Sequence, residues 1–130
     1  MSGPVSDPVS DLVQKAEAVA ARAYAPYSNY HVGAVLRTND GREFEGVNVE
    51  NAAYPLGVCA EKSALVSAVT AGYGPGDIAA IAMNASPCGG CRQWLHEFRI
   101  PEVSFRREDG TIAMYDAKGL LPETWDFPEP

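Results

Sequence analysis

The chain has 130 residues, 46% of them hydrophobic, which suits one compact domain with its own core and no second one. Its 17 acidic residues outnumber 10 basic ones, and the net charge of -7 argues against a Lys/Arg stripe for nucleic acid; the one adjacent basic pair, Arg106-Arg107, runs straight into Glu108-Asp109. Apolar stretches are interrupted short of a membrane span and the start, Met1-Ser2-Gly3-Pro4, lacks a signal-peptide pattern, so a cytoplasmic single domain over 1–130 with flexible ends at 1–6 and 126–130 is expected.

From Asp7 to Ala25 the residues Val9, Leu12, Val13, Ala16, Val19, Ala20 and Ala23 recur at steps of three and four, which predicts an amphipathic helix with Ser6 or Asp7 as N-cap. Pro26 ends it, and Pro26-Tyr27-Ser28-Asn29-Tyr30 reads as a loop. Val32–Arg37 and Arg42–Val49 flank the turn Thr38-Asn39-Asp40-Gly41 and predict an antiparallel hairpin. A second, Ala-rich helix follows over Ala60–Ala71, closed by Gly72 and Gly74. Ile78–Met83 is a short apolar run of the kind buried in a covered sheet, and Pro87 introduces a third helix over Cys88–Phe98. Val103–Arg107 and Thr111–Tyr115 close the fold as a strand pair, and Trp125–Pro130 is too Pro-rich and acidic for regular structure. This order implies helices layered on a mixed sheet of five strands, an α/β fold with three layers.

Three cysteines stand at the starts of the second and third helices: Cys59, then Cys88 and Cys91. An odd count does not suit a disulfide framework, and redox pairing of Cys88 with Cys91 leaves Cys59 and Glu61 unexplained. Three thiolates would hold one zinc ion and leave its fourth tetrahedral position to water, as in catalytic rather than structural sites. Two helix N-termini, each about half a positive charge, offset the excess negative charge of three thiolates, and Lys62 and Arg92 are candidates for further zinc tuning. Glu61, two residues after the first thiolate, is the candidate for proton transfer to and from that water. The competing reading is a closed structural Cys3His site completed by His31 or His96, although His31 reads as a residue packing or facing solvent before a strand and His96 as a surface residue.

Cys59-Ala60-Glu61 and Pro87-Cys88-Gly89-Gly90-Cys91, in that order with a strand between, resemble the zinc nucleoside and nucleobase deaminases, many of which have His as first ligand. With Cys there, and with Tyr27-Ser28, Val32-Gly33-Ala34, Asn48-Val49-Glu50-Asn51-Ala52, Tyr54-Pro55, Ser86-Pro87, Cys91-Arg92-Gln93 and Leu120-Leu121-Pro122, the chain from about Tyr24 to Trp125 is similar to the small homotetrameric cytidine deaminases. The resemblance implies the three-layer cytidine-deaminase-like fold and hydrolysis of cytidine and 2′-deoxycytidine. It implies Asn48 and Glu50 on the ribose 3′-hydroxyl, Tyr30 lining the pyrimidine pocket, and the backbones of Ala60 and Ser86 at the base carbonyl and the leaving amine. Ala52, Tyr54 and Trp125 would reach a neighbouring subunit's site in a homotetramer, and neither nucleic acid nor membrane is an expected partner. Lys62 replaces an Arg typical of the family, Trp125 replaces a Phe, and Met83-Asn84-Ala85 is a shortened loop; the last two imply tolerance for substituents on N4. Deaminases of the antibiotic blasticidin S share the cysteine motifs, but the Asn48-Val49-Glu50-Asn51 clamp suits a ribose. A non-enzymatic zinc-stabilised module is the remaining alternative.

Overall fold

The computed structural model describes residues 7–126, so the N-cap candidate Ser6, the expected flexible end at 1–6 and all but Asp126 of the one expected at 126–130 lie outside the described residues. Helix α1 (Asp7–Val19) buries Leu12, Val13, Ala16 and Val19 against Val35, Ala80 and Ala82. It stops earlier than its periodicity predicts: the backbone tightens to a 3-10 turn over Ala20–Arg22, and Ala23 is extended at φ -61°, ψ 142°. The cause is tertiary. Tyr24 N–H donates to the Asn48 carbonyl at 3.0 Å and the Tyr24 carbonyl accepts from Glu50 N–H at 2.8 Å, which draws this segment beside Val49 and out of the helix before Pro26.

Strands β1 (Gly33–Thr38) and β2 (Glu43–Val47) form the expected hairpin, with Gly41 at φ 92° in its turn. Helix α2 (Ala60–Thr70), strand β3 (Ile78–Met83), helix α3 (Gly89–Glu97) and strands β4 (Glu102–Arg106) and β5 (Ile112–Tyr115) follow in the order read from sequence. A short helix α4 (Ala117–Leu120), capped by the Asp116 carboxylate accepting from Lys118 N–H at 2.8 Å, has too few residues to leave a periodic signal.

The five strands lie in the order β2-β1-β3-β4-β5. β1 is antiparallel to both β2 and β3, whereas β3 and β4 are parallel. β2 and β3 therefore run the same way, and α2 and α3 both leave from one edge of the sheet, the carboxyl edge where ligand crevices form in such folds. Alternate residues divide the faces: Leu36, Ile81, Met83 and Val103 pack with Leu65 of α2, Leu95 of α3 and Leu120 of α4, while Val35, Ala80 and Ala82 pack on α1. A Cβ on Gly46 would lie 2.3 Å from Ala64 N and 2.4 Å from the Ala60 carbonyl, so this glycine lets α2 settle directly on β2. Among the described residues no helix is long and apolar enough to cross a membrane.

Candidate metal centre and adjoining clefts

Cys59 and Cys88 occupy the extended N-cap positions of α2 and α3 (φ -77°, ψ 158° and φ -70°, ψ 170°), and Cys91 sits in the first turn of α3. Their sulfurs lie within 4.8 Å of one another, although nearly thirty residues separate Cys59 from Cys88 in the chain. A zinc ion about 2.3 Å from each sulfur sets tetrahedral edges of about 3.8 Å, so the donors fit zinc with a closing of at most about 1 Å. Among the described residues no histidine or carboxylate joins this group.

The thiols differ in their readiness to ionise. Burial raises Cys59 above the ordinary 9.0, and burial together with the charge of Glu61 raises Cys91 well above it. Burial also opposes ionisation of Cys88, but the Cys91 N–H, 3.4 Å from its sulfur, leads the groups that bring it below 9.0. Three thiolates at neutral pH thus need a cation among them, which is the chemistry of a metal site rather than of a free thiol cluster. Glu61 is 4% exposed in the first turn of α2. Burial pushes its carboxyl above the ordinary 4.5, against smaller opposing effects from the backbone, the Cys91 thiol and Lys62. A carboxyl poised this way can both take up and release a proton.

Two clefts are lined by the loops that follow β2 and β3, with neither a cysteine nor Glu61 among their lining residues. One, about 310 Å³, is lined by Tyr27, Ser28, Glu50, Asn51, Tyr54 and Gly57. The other, about 410 Å³, is lined by Tyr30, Asn84, Ala85, Ser86, Phe105 and Arg107 among others. A third cavity of about 490 Å³, between α2 and α3, is walled by Val66, Val69, Trp94 and Phe98 and touches none of the cysteines.

The Glu50 carboxylate accepts from Tyr27 N–H at 3.0 Å, Ser28 N–H at 3.1 Å and the Ser28 hydroxyl. Asn48 is bonded through its side chain to backbone: its Oδ1 accepts from Val32 N–H at 2.9 Å and its Nδ2 donates to the Tyr30 carbonyl at 2.8 Å. Ala60 is buried at the start of α2. Ala52 and Tyr54 stand on an exposed loop, Tyr54 being 80% exposed, and Trp125 is 67% exposed near the C-terminus.

Lys62 turns to the Trp94 ring, its Nζ lying 5.6 Å from the ring centroid. Arg92 is a clamp whose direction the sequence left open. Its Nε donates to the Pro87 carbonyl at 2.9 Å, Nη1 to the Leu120 carbonyl at 3.1 Å and Nη2 to the Ser86 hydroxyl at 3.1 Å, tying the loop before Cys88 to the end of α4. His96 is buried, not at the surface as expected, because the C-terminal segment folds back over α3: its Nε2 lies 2.6 Å from Asp126 Oδ1, and Thr124 donates to Gln93 at 3.0 Å. His31 is exposed and gives its backbone carbonyl to Asn84 Nδ2 at 3.0 Å. Asn84 escaped sequence reading; its one signal was an amide at the end of a strand, in a loop noted for its shortness.

The sequence model of the cytidine and deoxycytidylate deaminase zinc-binding region matches residues 7–107. A cytidine deaminase of Halalkalibacterium halodurans is 46% identical over 116 residues, covering 82% of this chain and 86% of the relative, and one of Sporosarcina psychrophila is 38% identical over 122 residues, covering 89% and 83%. The crystal structure of cytidine deaminase from Burkholderia pseudomallei superposes with a TM-score of 0.83 at 46% identity, covering 89% of this chain and 98% of that one. The dCMP deaminase of cyanophage S-TIM5, at 20% identity and a TM-score of 0.65, shares the fold.

Proposed function

The chain belongs to the family defined by the cytidine and deoxycytidylate deaminase zinc-binding region, and on that premise we propose that it hydrolyses cytidine and 2′-deoxycytidine to uridine and 2′-deoxyuridine, releasing ammonia. The observation that carries this reading is the convergence of three sulfurs within 4.8 Å at the tips of two helices, with a buried carboxyl in the same turn.

Cys59, Cys88 and Cys91 hold one zinc ion. When bound, zinc is a Lewis acid that makes water a nucleophile near neutral pH. Glu61 takes a proton from the attacking water, delivers it to N3 of the pyrimidine, and passes the second to N4; the C4–N4 bond then breaks, ammonia leaves, and C4 keeps the oxygen of water. The backbone of Ala60 orients the base carbonyl and the Ser86 carbonyl accepts from the amine, with Pro87 keeping that residue extended. Tyr30 supplies an aromatic wall. The ribose 3′-hydroxyl lies between Glu50, which accepts, and Asn48, whose second Nδ2 hydrogen remains to donate after Tyr30 has taken the first. Arg92 steadies the loop that carries Ser86 and Cys88.

The cleft of about 410 Å³ beside Ser86 supports a wider substrate range. Tyr30 and Ser86 line it together, so it would take the base with its amine, and an open side at Ser86 suits cytidines with a substituent on N4. The assembly is a homotetramer working in the cytoplasm, with Ala52, Tyr54 and Trp125 reaching a neighbour's site. The exposure of Tyr54, Leu56 and Trp125 supports that arrangement.

Replacing Glu61 by Gln tests the chemistry. The variant keeps its zinc and its fold and loses at least about a hundredfold in turnover of cytidine, as removal of a general acid-base group requires. Unchanged turnover, read by ultraviolet absorbance beside zinc content, would refute the role of Glu61.

A further inference from the structure

We infer that Asn84 is a positioning residue for substrate: paired with Asn48 across the end of β1, it sets the backbone that presents Tyr30 to the base. The inference rests on the reading of Tyr30 as the wall of the pyrimidine pocket, and the rise in KM for cytidine on Tyr30→Ala alone tests that reading separately.

β1 is the strand between β2 and β3, and both neighbours leave it at the same end. On one side β2 ends at Val47; Asn48 N–H still donates to the Val32 carbonyl at 3.2 Å, but the Asn48 carbonyl, which would accept from Val32 N–H, is bonded instead to Tyr24 N–H at 3.0 Å. The Asn48 side chain replaces it, accepting from Val32 N–H and donating to the Tyr30 carbonyl. On the other side β3 ends at Met83, opposite Ala34, and the chain turns through Ala85 and Ser86 to Pro87, which has no N–H to offer. Here Asn84 Oδ1 accepts from Gly33 N–H at 3.0 Å and Nδ2 donates to the His31 carbonyl at 3.0 Å. The two amides act as one-residue extensions of the two missing strands. Between them they occupy the Tyr30 carbonyl, the His31 carbonyl, the Val32 N–H and the Gly33 N–H.

Tyr30 is the first residue of this doubly held segment. Its own N–H donates to the Ser28 hydroxyl at 3.0 Å, and that hydroxyl is bonded to Glu50. Its ring is nevertheless exposed, and it lines the same cleft as Asn84. An exposed ring on a free segment would lose conformational entropy each time a base bound, whereas one on a fixed backbone is already in place. Asn84 touches no substrate in this account; it acts through Tyr30.

The test is a double-mutant cycle. Asn84→Ala is expected to raise KM for cytidine about tenfold, the effect of two ordinary hydrogen bonds, with kcat within about twofold of wild type and zinc content unchanged. In a Tyr30→Ala background the same substitution is expected to change KM by less than about twofold, because the residue through which it acts has gone. Asn84→Asp, which keeps the acceptor for Gly33 N–H but turns a carboxylate oxygen on the His31 carbonyl in place of the donor, serves if Asn84→Ala does not fold, with a rise of at least about threefold and the same loss of effect without Tyr30. An unaltered KM, an equal effect with and without Tyr30, or a joint fall of kcat and zinc content would each overturn the assignment.

Discussion

Two glutamates of the same intrinsic acidity are driven in opposite directions by their surroundings, the directions that suit the holding role proposed for Glu50 and the proton-transfer role proposed for Glu61. Burial pushes Glu61 up. At Glu50 the Ser28 hydroxyl, with the N–H groups of Ser28 and Tyr27, outweighs desolvation and holds the carboxyl below the ordinary 4.5. The folded chain therefore keeps Glu50 ionised at a pH where the unfolded chain has protonated it. The stability this gives is complete above 4.5 and disappears as the pH falls through the lower, folded value. Glu50→Gln is accordingly expected to melt below wild type at about pH 7 and to converge with it in acid, which thermal melts over about pH 3 to 7 would read. A gap that persists unchanged into acid would show that the charge of Glu50 has no part in anchoring the loop. At this scale the sequence singled out the three cysteines that the fold brings together and the carboxyl that it buries at Glu61, because their spacing is itself the signal. It did not yield where Arg92 and Lys62 project, since one residue's step along a helix fixes an azimuth but not what tertiary neighbour waits there; Arg92 turned to three oxygens of the Ser86-Pro87 loop and α4, and Lys62 to the Trp94 ring.

Helix α2 brings Cys59 and Glu61 to the site only because it can sit against β2, and Gly46 is where the two backbones approach. Gly33 does the same for α1 on the opposite face, where a Cβ would lie 2.2 Å from the Ala16 carbonyl. Both Gly46→Ala and Gly33→Ala overpack a contact made of backbone, which cannot swing aside, and each is expected to lower stability by at least about 1–3 kcal/mol. Their effects on the metal differ. Gly46→Ala shifts the helix that carries one sulfur and leaves the other two on α3, so its zinc is expected to be lost to a competing chelator at lower chelator concentration; Gly33→Ala disturbs a layer that holds no ligand and should keep wild-type zinc affinity. Equal zinc loss in the two would mean that the site follows global stability and not the seating of α2. Elements with periodicity were readable: the hairpin, the α2–β3–α3 order and the closing strand pair all occur where patterning puts them. The failures have tertiary causes. The end of α1 is decided by Tyr24 pairing beside Val49, which overrides a continuing apolar stripe, and the burial of His96 is decided by Thr124 and Asp126 crossing α3 from thirty residues away.

A single chain brings its three cysteines together, while Tyr54 and Trp125 are exposed at its surface, where shared sites in a homotetramer would need them. Sharing has a consequence that no property of an isolated subunit can imitate. In closed oligomers of identical chains, a site built from Glu61 of one subunit and Tyr54 of its neighbour can be repaired by mixing two defective parents. A Glu61→Gln chain contributes an intact Tyr54, and a Tyr54→Ala chain contributes an intact Glu61. Random mixing gives a site its own wild-type Glu61 in half of cases and a neighbour's wild-type Tyr54 in half, so about one site in four is whole. Refolding or co-expressing the two variants in equal amounts is therefore expected to recover about a quarter of wild-type turnover per zinc, well above either parent alone. Self-sufficient sites predict the opposite, activity no greater than the mean of the two parents at every ratio, and that result would remove the neighbouring subunit from the pocket.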